Sequence, residues 1–243
     1  MSAQAPQQAR PAFYALDRGG WRDYVTLLHL PYTAWNVSYA AIGAGLAAHL
    51  DWTRYALTLL AFFLAVGIGA HALDELQGRP LKTRIPDAVL VALAVASIGG
   101  ACALGLYFVA HDSPWLLVFI VTGVVIVVGY NLELAGLHTG WVLVLGVSSF
   151  AVLTGAFAQQ ERITPAAVIA AAAAAALALA QRQLSAFVRH LRRDADAVTA
   201  ELVSADGVEH LDRAQLIAPA EAALRLLSVM AVLLAVALLV NHL

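Results

Sequence analysis

The stretch RYALTLLAFFLAVGIGAHALDELQGRPLKTRIP, Arg54 to Pro86, decides the fold. Between Arg54 and Asp74 it holds no aspartate, glutamate, lysine or arginine. A bilayer core of about 30 Å needs roughly 20 mostly apolar residues in a helix that rises 1.5 Å per residue. The segment 54–76 therefore reads as a membrane span. It ends in Asp74 and Glu75, and a loop with Arg79, Lys82 and Arg84 follows. Pro80 and Pro86 bound that loop, because proline stops a helix.

Six further stretches of similar character lie outward from this one, at about 33–50, 87–110, 113–133, 139–159, 164–184 and 219–241. The expected class is an all-α, polytopic transmembrane bundle of about seven spans. The first span is the least secure, being shortest and carrying Asn36 and Ser38. The sixth is almost pure alanine from 166 to 180. Small side chains let helices approach closely, so it is expected inside the bundle rather than against lipid. Composition agrees: 61% of residues are hydrophobic and 12% charged, against about 45–50% and about 25% in soluble domains.

The net charge of −2 gives no reason to expect nucleic-acid binding. The lone cysteine, Cys102, excludes an internal disulfide and reads as a packing residue. The polar start contains no apolar core of a signal peptide. The chain thus divides into a tail, 1–28, and a helical domain, 29–243. Within that domain a connector at about 185–218 alternates charge (Arg192, Arg193, Asp194, Asp196, Glu201). It is expected to form one or two surface helices broken near Gly207.

Orientation follows from cations, which concentrate in cytoplasmic segments. With the N-terminus inside, that face holds Arg10, Arg18, Arg22, Arg79, Lys82, Arg84, Arg182, Arg189, Arg192, Arg193, Arg213 and Arg225. The opposite face holds only Arg54 and Arg162. The expectation is an integral protein of a prokaryotic plasma membrane, with a cytoplasmic N-terminus and the C-terminus on the opposite face. Trp21, Trp35, Trp52, Trp115 and Trp141 lie mostly near span ends and read as interface-belt residues.

Ionisable groups within or at the ends of spans are functional candidates. His71 precedes Asp74 and Glu75 by three and four residues, which places it on the same side as both. Tyr130, Asn131 and Glu133 end the fourth span, and His138 follows. Arg182, Arg189 and Arg193, spaced seven and four, share a helical face. Carboxylates and guanidinium groups at the mouth of an apolar bundle suit a ligand with an apolar tail and a diphosphate head. Arginine grips phosphate bidentately, and Mg²⁺ takes one or two carboxylates plus phosphate oxygens. Structural roles stand beside these. Asp74 and Glu75 also suit salt bridges with Arg79 or Lys82. Arg79, Lys82 and Arg84 also suit topology anchors. Glu133 also suits a solvated helix end, and His71 a packing role with a bond to a backbone carbonyl.

Over roughly residues 29–197 this layout resembles the UbiA-type intramembrane prenyltransferase superfamily. LPYTAW, Leu30 to Trp35, is similar to the family's Arg-Pro-x-Thr opening, with Leu30 in the arginine's place. In GAHALDELQGRPLKTRIP, Arg79-Pro80-Leu81 and Arg84-Ile85 match the family's basic segment. Asp74 and Glu75 remain of its acidic motif, while Ala70, His71 and Gly78 stand where other members belong. GYNLELAGLHTGW resembles the turn before the fifth helix, with Tyr130 matching and His138 near the place of a basic residue. The second acidic motif falls near QRQLSAFVRHLRRDADAV, where Ser185 occupies the first acid's place and arginines abound.

The resemblance implies a helix bundle around a central lipid-facing cavity. It implies an isoprenoid diphosphate as donor and a lipophilic acceptor, by transfer or by terpene cyclisation, amid membrane lipids. Mg²⁺ would be held by Asp74, Glu75 and Glu133. Asp74, Glu75 and Tyr130 would act in catalysis, Tyr130 by turning its aromatic face to a carbocation. Asn36, His71, Arg79, Lys82, Arg84, Asn131, His138, Arg182, Arg189 and Arg193 would contact substrate. The other expectation is a non-catalytic membrane protein of this fold that binds a lipid or a protein partner.

Overall fold

The computed structural model describes residues 12, 14–195 and 197–243, without the side chains of Arg193 and Asp194. Arg10, Asp196 and those two side chains thus lie outside the described residues. A short helix α1 (Trp21–Leu27) leads into α2 (Leu30–Gly45) through His29, which sits in the left-handed region at φ 46° and ψ 45°. Pro31 falls in the first turn of α2, where a missing N–H costs nothing.

A continuous rod follows. α3 (Trp52–Phe62) starts on Asp51, whose carboxylate accepts from the amides of Thr53 and Arg54. The rod loosens into a π-helical stretch, Phe63–Ala70, and ends as α4 (His71–Leu76). α5 (Asp87–His111) and α6 (Leu116–Asn131) come next. A second rod joins α7 (Gly140–Val144), a π-helical turn at Leu145–Ser149, and α8 (Phe150–Gln160). α9 (Pro165–Arg189) is capped by Thr164 and runs on through a π-helical turn, His190–Asp194. A hairpin of β1 (Ala200–Ser204) and β2 (Gly207–Leu211) precedes α10 (Arg213–Val240).

Among the described residues, five helical rods are long and apolar enough to cross a membrane: Trp52–Leu76, Asp87–His111, Gly140–Gln160, Pro165–Arg192 and Arg213–Val240. Leu116–Asn131 is a shorter apolar helix. Their outer faces are apolar. Leu226, Val229, Leu233, Val236 and Val240 on α10 form an exposed stripe, as expected of a surface that meets lipid rather than water. The chain is an integral membrane helical protein.

α2 occupies the centre and packs on α3, α8, α9 and α10. Its modest apolarity has a physical reason: a helix surrounded by protein needs small residues, not lipid-facing ones. Ala40, Ala41, Ala44, Gly43 and Gly45 are buried there. A Cβ built on Gly43 would stand 1.9 Å from the Val152 carbonyl oxygen, and one on Gly155 would stand 2.0 Å from that of Ala40. The α2 and α8 backbones therefore touch at small residues, as membrane helices do when dispersion drives association.

Two expectations are corrected. The alanine-rich α9 buries only a stripe within its alanine run (Ala167, Ala171, Ala174), while Val168 and Ile169 are exposed. One small-residue stripe suffices for packing, and the other faces are left outside. The connector carries strands where helices were expected. Ala200 pairs with Leu211 and Ser204 with Gly207, whose φ of 134° suits glycine alone.

The ends of the rods are tied on the face away from the hairpin. Arg54 pairs with Asp112 at 2.7 Å and Glu161 at 3.6 Å, linking the start of α3 to the ends of α5 and α8. The Asp51 amide donates to the Gln159 side chain at 2.9 Å.

Candidate functional site

The ends of α4, α6 and α9 and the starts of α2 and α10 surround one cavity of about 530 Å³. Its polar lining includes His29, His71, Asp74, Tyr130, Asn131 and His138. Asn36, Gln181, Ser185, Arg189, Arg192 and Glu221 line it as well. Its apolar lining includes Trp35, Phe62, Val66, Val127, Val144 and Leu224. Phe62, Val66, Ile126, Val127 and Gly146 are shared with a smaller apolar cavity of about 140 Å³, which Cys102 also lines.

His71 owes its setting to the π-helical stretch before it. Its Nδ1 donates to the Gly67 carbonyl at 3.0 Å. A carbonyl only accepts, so Nδ1 carries the proton and Nε2 carries the lone pair. The ring stacks on His29 at 4.0 Å between centroids. The left-handed backbone at His29 turns that residue towards this position. His138 is held alike: its Nδ1 donates to the Tyr130 carbonyl at 3.0 Å, and its ring stacks on Tyr130 at 4.5 Å. Asn131 donates to the Val127 carbonyl at 2.7 Å.

The two consecutive acids have different places. Asp74 lines the cavity. Glu75 is buried at 1% exposure and turned into the loop that follows. It accepts from the Leu81 amide at 3.0 Å, the Thr83 amide at 2.8 Å and the Thr83 hydroxyl at 2.9 Å. Three donors on one carboxylate make a structural clamp rather than a metal ligand, so Glu75 is not brought to the cavity. The clamp folds the loop whose backbone is left-handed at Arg79 and Lys82.

Arg79 also serves the loop. It donates to the carbonyls of Thr83 and Ile85 at 3.1 and 2.9 Å and pairs with Asp87. Its carboxylate partner is Asp87. Lys82 and Arg84 are exposed and do not line the cavity. The Arg84 amide instead donates to buried Asp23 at 2.9 Å, which docks α1 on the loop. Sequence reasoning missed Asp23, an acid in a short amphipathic helix with no pattern to mark it.

Of the arginines on α9, Arg189 lines the cavity and donates to Ser185 Oγ at 3.1 Å. Arg182 is exposed, and its guanidinium lies over Gly140, where a Cβ would fall 2.4 Å from Cζ. The π-helical turn at 190–194 changes the register beyond Arg189, and Arg192 reaches the cavity. Arg192 pairs with Glu221 of α10 at 2.7 Å. The side chain of Arg193 is outside the described residues. Glu221, a lone acid in an apolar helix, was the sequence signal for this pair.

Trp35 is also corrected. Trp21, Trp115 and Trp141 are about two-thirds exposed, as belt residues should be, and Trp52 is 46% exposed, but Trp35 is 2% exposed and walls the cavity. Position near a span end does not tell an inward-facing indole from an outward one.

Mg²⁺ held by Asp74, Glu75 and Glu133 does not fit these positions. Glu75 is committed to the loop, and Glu133 is exposed on a left-handed residue outside the cavity lining. Among the described residues no group of three or more histidine, cysteine, aspartate or glutamate side chains is placed to hold a metal ion. No protein-family model, curated protein or solved structure matches the chain.

Proposed function

We propose that this protein is an intramembrane enzyme of UbiA-like design that takes an isoprenoid diphosphate and transfers or cyclises its prenyl group. One observation carries this: a single cavity with Asp74, Arg189 and Arg192 at a polar mouth and an aromatic and aliphatic interior. A diphosphate head needs fixed cations, and arginine supplies them bidentately. A prenyl tail needs dry apolar walls. The slot behind Phe62, Val66 and Val127 supplies more of the same surface. The expected arrangement is about seven crossings with the N-terminus and the cavity mouth in the cytoplasm, where the cations are concentrated.

Arg189 would hold phosphate oxygens. Tyr130, kept in place by its stack on His138, would turn its ring to the cationic carbon left as diphosphate departs. Mg²⁺ fits this scheme as the ion of an Mg–diphosphate substrate, because it keeps waters and phosphate oxygens and needs as little as one protein carboxylate. Asp74 is that carboxylate.

Geranylgeranyl diphosphate added to the purified protein should raise Tm by about 5 °C near saturation, and more with Mg²⁺. Asp74→Asn should remove the Mg²⁺-dependent part. Arg189→Gln should weaken binding about tenfold with either. Stabilisation unaltered by both substitutions would contradict the assignment.

A second reading is favoured by the commitment of Glu75 to the loop: a non-catalytic protein that binds a lipid or a partner. Donor binding without any release of inorganic diphosphate, across acceptors and chain lengths, would select it.

A further inference from the structure

The 77–86 loop and α1 carry cations that the cavity does not use. The loop joins Trp52–Leu76 to Asp87–His111, two rods long and apolar enough to cross a membrane, so it lies at the membrane surface. Burial alternates along it: Leu81, Thr83 and Ile85 are buried, and Lys82 and Arg84 are exposed. Glu75 holds the buried side through Leu81 and Thr83. A second buried carboxylate docks α1 on this loop. Asp23, 3% exposed, accepts from the Gly19 amide at 3.0 Å and the Arg84 amide at 2.9 Å. Asp23, Thr26 and Leu27, spaced three and four, are buried on one side of α1. Trp21, Arg22 and Tyr24 are exposed, and the Arg22 guanidinium lies 5.8 Å over the Trp21 ring. Two buried carboxylates thus hold together a surface on which Arg18, Arg22, Lys82 and Arg84 are all exposed. Among the described residues no ion pair engages these four side chains. Asp17 is the one exposed acid in residues 14–30, and Asp87 is paired with Arg79.

We propose that α1 and the 77–86 loop form a docking surface for the headgroups of anionic phospholipids in the adjoining leaflet. The surface stands apart from the cavity and from whatever the cavity takes. Cations near an anionic leaflet are attracted over about a Debye length, and each adds to the binding. The two exposed rings select lipid over a free anion. Trp21 is 67% exposed and Tyr24 44%, and such rings settle at headgroup level, with the apolar body towards the acyl chains and the polar edge in water. A soluble phosphate would satisfy the arginines and leave both rings bare. The buried carboxylates do the positioning: without Asp23 the arginines of α1 would not be held beside Lys82 and Arg84.

The test uses the full chain in nanodiscs of phosphatidylglycerol and phosphatidylcholine in equal parts, with brominated acyl chains on one lipid or on the other. Bromine quenches tryptophan fluorescence at short range, and the share belonging to Trp21 is the share that Trp21→Phe removes. Brominated phosphatidylglycerol should quench Trp21 more than brominated phosphatidylcholine, to the extent of about fivefold local enrichment. Raising NaCl to about 1 M, where the Debye length is about 3 Å, should abolish the preference. Lys82→Gln with Arg84→Gln should reduce it by about half or more. These side chains are exposed, so the pair of substitutions should leave Tm in detergent unchanged. Should that protein fail to fold, Arg18→Gln with Arg22→Gln makes the same reading from α1. The stabilisation by geranylgeranyl diphosphate should persist in the Lys82→Gln, Arg84→Gln protein, because neither residue lines the cavity. Equal quenching by the two lipids would overturn the proposal, as would a preference that survives the substitutions. Loss of the preference on adding inorganic phosphate at constant ionic strength would mark a site for free anions and overturn it too. Loss of the diphosphate response in the substituted protein would assign these cations to the donor instead.

Discussion

Replacing Gly155 with alanine is expected to cost more than about 4 kcal/mol and to lower Tm by about 10 °C or more. The added Cβ would fall 2.0 Å from the Ala40 carbonyl oxygen and 2.9 Å from its carbon. Those are backbone atoms of a buried helix, and no rotamer change relieves them. The only relief is to separate α8 from α2, which opens the core around Ala40, Ala44, Ala151 and Val152. The same shift displaces Trp35 and Tyr39, which α2 presents to the cavity. Gly99→Ala on α5 is the control: its Cβ meets nothing within 4 Å, and alanine is the better helix former by about 1 kcal/mol. Thermal unfolding of the two variants side by side checks both. A Gly155→Ala protein as stable as Gly99→Ala would show that the helices do not touch here.

Glu75→Ala is expected to lose about 3–5 kcal/mol, and with it the shape of the 77–86 loop. The substitution leaves the Leu81 and Thr83 amides and the Thr83 hydroxyl without their acceptor, in a place where water does not replace it. Glu75→Gln should fall between, because an amide keeps one acceptor oxygen and turns an N–H₂ toward donors. A metal-binding Glu75 would behave differently: Tm in the absence of ligand would hold, and only Mg²⁺-dependent binding would fail. Thermal unfolding without ligand separates the two. The expected order is wild type, then Glu75→Gln, then Glu75→Ala.

Asp74 and Glu75 mark where sequence reasoning reached its limit. Consecutive helical residues point about 100° apart, so one of two adjacent acids faces the cavity and the other the loop. Nothing in DEL says which. The helices themselves were legible, because long apolar runs bounded by charge have few other structures available in lipid. Register within them was less so. The π-helical stretches at 63–70, 145–149 and 190–194 each disturb the 3.6-residue count. The turn at 190–194 is why Arg192 joins Arg189 at the cavity and meets Glu221, while Arg182, seven residues earlier in regular α-helix, lies over Gly140 instead. Asn36, His71, Asp74, Tyr130, Asn131, His138 and Arg189 do converge. The hairpin at 200–211 carried a signal that charge alternation obscured. The Asp206-Gly207 pair is a turn signal: Ala205 and Asp206 form the two-residue turn, Gly207 opens the second strand, and Val203 faces Val208 across it.

The measurement that tests the central claim most directly is photo-crosslinking with a geranylgeranyl diphosphate analogue bearing a diazirine on its tail, mapped by mass spectrometry. A donor seated with its head at Asp74 and Arg189 and its tail in the interior should label cavity-wall segments, chiefly 62–70, 126–131 and 142–147. Excess inorganic diphosphate should suppress that labelling. Labels confined to the lipid-facing stripe of α10 or the outer face of α5, and indifferent to diphosphate, would contradict the account.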